Sequence, residues 1–438
     1  MAETKKDKQF FSIGRIFFLL IVIPLSLMAF LIANGIFKVG DTARERATTV
    51  LDLKSQEEIK IRAINTAEEV ANFLREREND VLVASILPGT EAAYKAFVDQ
   101  KKRNLWVKDR DGRIQKVAAP LYSEMSLIDR SGNEIVRIAN GAVAGKNQLK
   151  NVAAPGGTTY KSEDYFSKAV GLGKGEVYVS HVTGWYVTKQ EFEKGKRFSG
   201  LVRYATPIFD KGGLSGVVVL SLDYRHLAAF TDHVIPTQAD YVYEADASTG
   251  NYAYMVDNKG FIISHPNDYH IAGLNPDGTA VQPLTKDTAE TLTKEGKEVL
   301  NLNQLGFMDA GLAEVAKEAA AGKAGIKNYK FAGHEKFVAY APIKFYSKTY
   351  PEPAGFGWIG MGVDIAKFQE MATATAEKIN QEVKGWTSTI VIIIIASVIL
   401  LFGISALLAR GISRSLEAEV PAGAETPKDD LYDDEEDK

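Results

Sequence analysis

The chain has no cysteine among its 438 residues. That excludes disulfides, thiol nucleophiles and thiolate metal sites. Its six histidines are scattered, with no His-x-His or His-Glu-x-x-His pair, so no histidine-built metal centre is expected. His265, which precedes Pro266, reads as a structural histidine at a strand end. Asp257-Asn258-Lys259-Gly260 opens like a calcium loop but lacks the later acidic ligands. It reads as a hairpin turn, as does Asp129-Arg130-Ser131-Gly132. No Gly-x-Ser-x-Gly and no phosphate-cradling glycine loop occurs in a strand-to-helix setting. No enzyme activity and no cofactor are therefore expected. An excess of one charge is also missing: 52 basic residues face 56 acidic ones, a net charge of -4. Nothing in that balance calls for a nucleic-acid partner.

Two long apolar runs are present. Ile16 to Phe37 carries no charge, and Trp386 to Ala409 is apolar or small, including Ile392 to Ile395. At about 1.5 Å per residue, each is long enough to cross a hydrocarbon core of roughly 30 Å. The first run is too long for a cleavable signal peptide, and no clean small-residue cleavage site follows it. Lys5, Lys6, Lys8 and Arg15 precede the first run, and Arg410 and Arg414 follow the second. The positive-inside rule then puts both termini in the cytoplasm and residues 38–385 in the periplasm or outside the cell. The expected location is a bacterial inner membrane.

Between the runs, residues 43–84 contain no Gly or Pro. Ala63, Ala67, Val70 and Leu74 recur at helical spacing, with Ile64 and Ala71 beside them and Glu57, Glu58, Arg75 and Glu76 on the other face. This predicts one long stalk helix, with a stripe for its own domain or for a second subunit. Residues 89–108 read as a shorter helix and 165–172 as another. Hairpins are predicted at 125–139, 199–223 and 253–264, and strands at 177–182, 327–331, 336–342 and 358–363. Each half thus reads as hairpin, helical insert, then antiparallel strands, a loose duplication with its boundary near 225–245. Residues 366–384 continue as helix into the second apolar run. The final segment, rich in Asp and Glu from Asp429 to Asp437, reads as a solvated tail.

Several segments, in order, resemble the double Cache sensor domain of bacterial chemoreceptors and sensor kinases. They are Ile128-Asp129-Arg130-Ser131-Gly132-Asn133-Glu134, Tyr160-Lys161-Ser162-Glu163-Asp164-Tyr165-Phe166, Gly175-Glu176-Val177-Tyr178-Val179-Ser180, Val202-Arg203-Tyr204-Ala205-Thr206-Pro207-Ile208-Phe209-Asp210 and Gly216-Val217-Val218-Val219-Leu220. Val256-Asp257-Asn258-Lys259-Gly260, Ser264-His265-Pro266 and Gly362-Val363-Asp364-Ile365 continue it. The resemblance covers roughly residues 43–375. It implies an α+β fold: a long stalk helix plus two PAS-like antiparallel-sheet Cache subdomains, flanked by two transmembrane helices. The organisation expected is a cytoplasmic tail 1–15, transmembrane helix 16–37, stalk 38–84, membrane-distal subdomain 85–235, membrane-proximal subdomain 236–370, juxtamembrane helix 371–385, transmembrane helix 386–409 and acidic tail 410–438.

In this family the ligand usually binds in the distal subdomain. Members that bind amino acids carry an Arg followed by a Trp-Tyr pair on the short helix over the pocket. Here those places hold Glu163, Tyr165 and Phe166, so the cation that would pair a substrate carboxylate is missing there. The Asp that holds the amino group is replaced by Ser221, with Asp223 two residues on. Arg203, among apolar neighbours in a strand, needs a partner. It reads either as a clamp for an anionic ligand or as one half of a salt bridge to an internal carboxylate such as Asp164 or Asp223. Tyr165, Phe166, Tyr178, Trp185 and Tyr204 are candidates for an aromatic wall, and Ser180 and Ser221 for its hydroxyls.

Arg410-Gly411-Ile412-Ser413-Arg414-Ser415-Leu416 resembles the opening of a HAMP relay helix, but Pro421, Gly423 and acidic residues follow. The leading expectation is a membrane-anchored sensor that signals through another protein. The alternative is an accessory subunit that uses the same fold to dock on a membrane complex. Expected partners are a small molecule of unnamed identity in the distal subdomain, the membrane, and either a second copy of the chain or a membrane complex.

Overall fold

The computed structural model describes residues 3–109, 111–331 and 333–418. Of the expected acidic tail, residues 419–438 lie outside the described residues. The chain forms two compact units, Leu51–Met371 and a second made of Met1–Val50 with Ala372–Lys438.

Helix α1 (Glu3–Ser85) is followed by α2 (Glu91–Gln100) and a hairpin of β1 (Lys102–Lys108) and β2 (Ile114–Pro120). Then come β3 (Tyr122–Asp129), β4 (Glu134–Ala139), β5 (Ala142–Val143), α3 (Tyr165–Val170), β6 (Tyr178–Val179), β7 (Thr183–Gly184), α4 (Lys189–Glu193), β8 (Gly200–Asp210), β9 (Gly213–Asp223) and α5 (Tyr224–Ala228). The second half holds β10 (Tyr252–Asp257), β11 (Ile262–Ser264), α6 (Ala289–Lys294), α7 (Ala310–Ala320), β12 (Gly325–Phe331), β13 (His334–Ile343) and β14 (Gly357–Asp364), and α8 (Ile365–Ala418) ends it.

Besides the two-stranded β1–β2 hairpin, the described strands build two antiparallel sheets. The first runs β5-β4-β3-β9-β8-β6, with β7 also on β8, and the second runs β11-β10-β14-β13-β12. With β5 and β7 set aside, both have one order: the opening hairpin at one edge, its first strand beside the last strand, and the remaining strands beyond. This is the α+β, PAS-like architecture that the sequence implies, and the loose duplication is a repeat of strand order.

The helical stripe in the later part of α1 explains how the sheets are held. Ala63, Ala67, Val70, Ala71 and Leu74 are buried, while Glu57, Glu58, Arg75 and Glu76 are exposed. The stripe shares one apolar cluster with Met125, Val202, Tyr204 and Leu220 of the first sheet and Met255, Phe337 and Ile359 of the second. Burying a side chain such as Leu74 contributes about 2 kcal/mol. Strand alternation sends the other residues of each strand to the opposite, outer face. There the first sheet packs Ile128, Ala205, Val217 and Val219 under α3. The second packs Tyr254, Val338, Tyr340 and Trp358 with Leu312 and Val315 of α7.

Two sequence readings need correction. Residues 102–108 are a strand and not the end of a helix, because Leu105-Trp106-Val107 suits a pleated surface and pairs with Gln115 to Val117 across a turn. In that turn Asp109 Oδ1 accepts the N–H groups of Asp111 and Arg113, and Gly112 has φ +83°. Asp129 and Asp257 build their hairpins the same way, each accepting two backbone N–H groups before a glycine of positive φ. The expected strand at 177–182 is two short pieces, β6 and β7, separated by Ser180-His181-Val182.

In the other unit, Leu19–Thr42 and Asn380–Leu408 have mean hydropathies of 2.4 and 3.1 and are long and apolar enough to cross a membrane. Their large apolar side chains point outward, with Leu20, Phe30, Ile392 and Leu400 among the exposed ones. A Cβ at Gly40 would meet the Val383 methyls at 3.0 Å, so the missing side chain permits this close approach.

Candidate functional site

The outer face of the first sheet centres on Arg203. Register aligns Glu124 on β3, Ser221 on β9 and Arg203 on β8 as one cross-strand row. Because Ser221 is small, the guanidinium reaches across it: Nη1 donates to Ser221 Oγ at 2.7 Å and to Glu124 Oε2 at 2.5 Å. From above, Glu163 just ahead of α3 takes the other edge of the fork. Nε and Nη2 donate to its two carboxylate oxygens at 2.7 and 3.2 Å. This two-point geometry is the strong form of the Arg–carboxylate bond. The Tyr165 ring lies 4.9 Å from the guanidinium carbon, within cation–π range.

Charge continues from this fork across β3 to β4. Glu124 also accepts from Arg137 Nη2 at 2.7 Å, and Arg137 Nε lies 3.8 Å from Glu134. Glu134 is held in turn by the Ser126 hydroxyl and the Lys150 N–H. Three carboxylates thus alternate with two guanidiniums. The Arg203 side chain is 3% exposed. Burial works against its charge, and Glu124 and Glu163 outweigh it, raising the Arg203 pKa. Burial likewise pushes the Glu124 carboxyl up, but Arg203 and Arg137 prevail and hold it down at about 2.

The other candidate residues separate into several places. Ser180 Oγ accepts the Arg203 backbone N–H at 2.8 Å and donates to the His181 carbonyl. The Tyr178 hydroxyl donates to Asp164 at 2.9 Å. Phe166 belongs to the apolar cluster under α3. Trp185 stacks at a tilt on Tyr160, centroids 5.0 Å apart, and lines a separate cavity of about 740 Å³ with Arg197 and Pro276. Asp223 caps α5 and pairs with Arg225 at 2.6 Å. Tyr204, the neighbour of Arg203, must point to the other face, where it packs in the α1 cluster.

The carboxylates that neutralise Arg203 are therefore Glu163 and Glu124, and not Asp164 or Asp223. Sequence reasoning noted Glu163 only as a replacement and missed Glu124, Arg137 and Glu134. Alternation of Glu124 with Ser126 and Ile128 was a readable signal that Glu124 lies on the outer face. Register across three strands was not.

Beside this cluster, Glu163, Tyr165, Tyr178 and Ser180 form one wall of a cavity of about 300 Å³. Its opposite wall comes from the second half, with Asp257, Lys259, Phe261 and Leu274. His181 Nδ1 lies 3.8 Å from Asp257 there. Burial depresses His181 to about 4 and raises Asp257 to about 6. Among the described residues no group of His, Asp and Glu is arranged to hold a metal ion.

No protein-family model matches the chain, and no curated protein sequence matches it. Solved structures similar to it are extracellular and ligand-binding domains of histidine kinases and chemoreceptors. An extracellular domain assigned to the histidine kinase vpHK1S-Z8 is 15% identical, covering 75% of this chain and 96% of its own, with a TM-score of 0.45. The ligand-binding domain of the Pseudomonas aeruginosa PAO1 amino acid chemoreceptor PctB, in complex with L-Arg, is 14% identical over 74% of this chain and 93% of its own, with a TM-score of 0.39. That of the Pseudomonas fluorescens chemoreceptor CtaA with L-leucine is 13% identical over 75% and 98%, with a TM-score of 0.36.

Proposed function

We propose that the chain is a membrane-anchored extracytoplasmic sensory subunit whose first-sheet site is held shut by its own Glu163. One observation carries this reading: a fully buried arginine on a central strand is gripped in two-point fashion by a carboxylate from the loop that leads into α3. Such a contact mimics a bound oxyanion. A small-molecule carboxylate or other oxyanion that took Arg203 from Glu163 would free the 160–170 segment. Arg203 sits beside Tyr204, which packs against α1 on the opposite face, so a shift of β8 is felt by that helix. The ligand moves this equilibrium only by its differential affinity for the open and shut states. In this reading the apolar helices cross the membrane with both termini cytoplasmic, and a protein contacting them or residues 410–438 reads the change. A homodimer belongs to the same reading.

The same observation favours a second reading. An arginine neutralised from within needs no ligand, and the fold then acts as an accessory docking module of a membrane complex. The test is a thermal-shift series on the full-length protein in detergent against acetate, succinate, citrate and phosphate, using wild type and Glu163→Gln. The sensor reading expects an oxyanion at a hundredfold excess over its Kd for Glu163→Gln to stabilise that variant by about 2.7 kcal/mol over its ligand-free state, and to stabilise wild type less. Indifference of both proteins, with fixed-ratio co-purification of other membrane proteins, selects the accessory reading. Alkaline phosphatase and green fluorescent protein fusions at each terminus test the topology.

A further inference from the structure

The second sheet carries a different kind of cavity on its outer face, about 650 Å³ in volume, within the range of small-molecule sites. Its floor is Tyr252 of β10 and Lys336 of β13, and its wall includes His265 and His270. These histidines are only 3% and 8% exposed, and their rings meet edge to face with centroids 4.9 Å apart.

The backbone fixes the tautomer of each. The Asn267 N–H donates to His265 Nδ1 at 2.9 Å, so that nitrogen is bare and the proton sits on Nε2. His270 Nδ1 lies 2.9 Å from the Glu298 carbonyl oxygen, which can only accept, so the proton sits on Nδ1 and Nε2 is bare. Burial lowers both pKa values, His265 far below the usual range, which keeps both rings neutral. The wall therefore offers one N–H donor and one bare acceptor from adjacent rings. Neither Nε2 is hydrogen-bonded among the described residues.

The charge in the cavity argues against an anionic ligand. Lys336 stands across from Asp364 in the β13–β14 register, and Asp246 and Glu298 line the same space. The Lys336 ammonium also lies over two ring faces, 5.2 Å from Tyr252 and 5.7 Å from Phe331. Ser248, Asn267, Thr293 and His334 add polar groups to the lining, but the two histidine Nε2 atoms are the donor and the acceptor whose protonation the backbone fixes, and they stand beside aromatic rings.

We infer that the second sheet holds a binding site for a small neutral planar heterocycle with a lactam edge, of the nucleobase class. The ligand N–H donates to His270 Nε2, its neighbouring carbonyl accepts from His265 Nε2–H, and its ring lies among Tyr252, Phe331 and Tyr269. This site does not depend on Arg203 or Glu163.

The test is calorimetric titration of the full-length protein in detergent, with saturation-transfer NMR, using hypoxanthine and uracil as probes. 1-Methylhypoxanthine, which lacks the N1–H donor, and benzoate, which lacks the lactam edge, are the controls. The expected result is saturable binding of hypoxanthine or uracil, and at least tenfold weaker binding of both controls. His270→Ala weakens the probe at least tenfold. Ser248→Trp, an exposed position lining the cavity, blocks it without touching the core, which keeps the test decisive if His270→Ala fails to fold. Absence of binding by both probes up to their solubility overturns the inference. So does probe binding that folded Ser248→Trp leaves unchanged, or binding of 1-methylhypoxanthine equal to that of hypoxanthine.

Discussion

The two sheets share a strand order and differ in what their central strand lets meet above it. On the first sheet, β9 presents Ser221 between Glu124 and Arg203, and two long charged side chains join over that small residue. On the second, β14 presents Gly360 between Tyr254 and Tyr340. A Cβ there would fall 2.3 Å from the Tyr254 ring, so glycine is what lets the ring lie on the strand. One outer face is thus closed by a network of charge, and the other sets rings and a few charged groups around open space. The same topology can give a plugged site or an open one, depending on one small residue in the strand order and on what flanks it.

The largest expected effect is on the charged face. Arg203→Leu leaves Glu124 and Glu163 buried without their shared cation, and breaking a buried ion pair in this way costs about 3–5 kcal/mol. The urea midpoint should fall accordingly. Adding Glu124→Gln and Glu163→Gln to Arg203→Leu should recover part of the loss, because it removes the two carboxylates left buried without a cation, while Arg137 exchanges its Glu124 carboxylate for an amide and keeps Glu134. A single variant as stable as wild type would mean that the row is solvated and not a plug. On the ring-lined face, Gly360→Ala should cost about 1–3 kcal/mol through overpacking against Tyr254.

Much of this was legible before any coordinates. Stalk periodicity marked Ala63, Ala67, Val70 and Leu74 as one buried stripe, for its own domain or for a second subunit, and the structure packs it on both sheets of its own chain. The Asp-x-x-Gly turns announced their hairpins because the aspartate satisfies two backbone N–H groups and the glycine supplies positive φ. The turn at Asp109 to Gly112 carries the same signal, yet the strand before it was read as helix, since Leu105-Trp106-Val107 is too short a run to show its period. Arg203 was legible as a residue needing a partner. Its partners were not, because Glu124 and Glu163 lie 79 and 40 positions away and only register and the α3 loop bring them together. Tyr204 could have been assigned to the opposite face by alternation alone.

Acid and neutral pH should separate the two regions. Glu124 is held at about 2 against an ordinary 4.5, a depressed carboxylate. Its stabilising contribution is complete above about pH 4.5 and is lost as pH falls toward 2, with a slope of at most about 1.4 kcal/mol per pH unit. Asp257, in the first turn of the second sheet, is raised to about 6 from an ordinary 3.8. Its contribution has the opposite sign: complete below about pH 3.8 and lost as pH rises through 6. Glu124→Gln should flatten the acid limb of a stability–pH curve and leave the 4–6 range alone. Asp257→Asn, which keeps an oxygen for the Lys259 and Phe261 N–H groups, should make the fall across pH 4–6 shallower and leave the acid limb alone; Asp268, also raised to about 6, and Glu78 and Asp232, raised to about 7 and 8, keep the rest of that fall. Equal effects of both variants on both limbs would deny that the regions titrate separately.

The smallest effect divides the two faces of the first sheet, between β6 and its neighbour β8. On the outer side of the first sheet, the Tyr178 hydroxyl is bonded to Asp164, and Tyr178→Phe should cost about 1 kcal/mol, the net worth of such a bond. On the inner side, the Tyr204 hydroxyl is buried with no hydrogen-bond partner among the described residues. Its desolvation is uncompensated, so Tyr204→Phe should be neutral or raise stability by up to about 1 kcal/mol. The sign is the test. A loss of stability on Tyr204→Phe would mean that the hydroxyl reaches a partner across the α1 interface, and β8 would then be tied to α1 by a polar contact as well as by packing. A gain would leave packing alone as the link between the charged face and the helix, and the proposed signal would have to travel as a displacement of the Tyr204 ring.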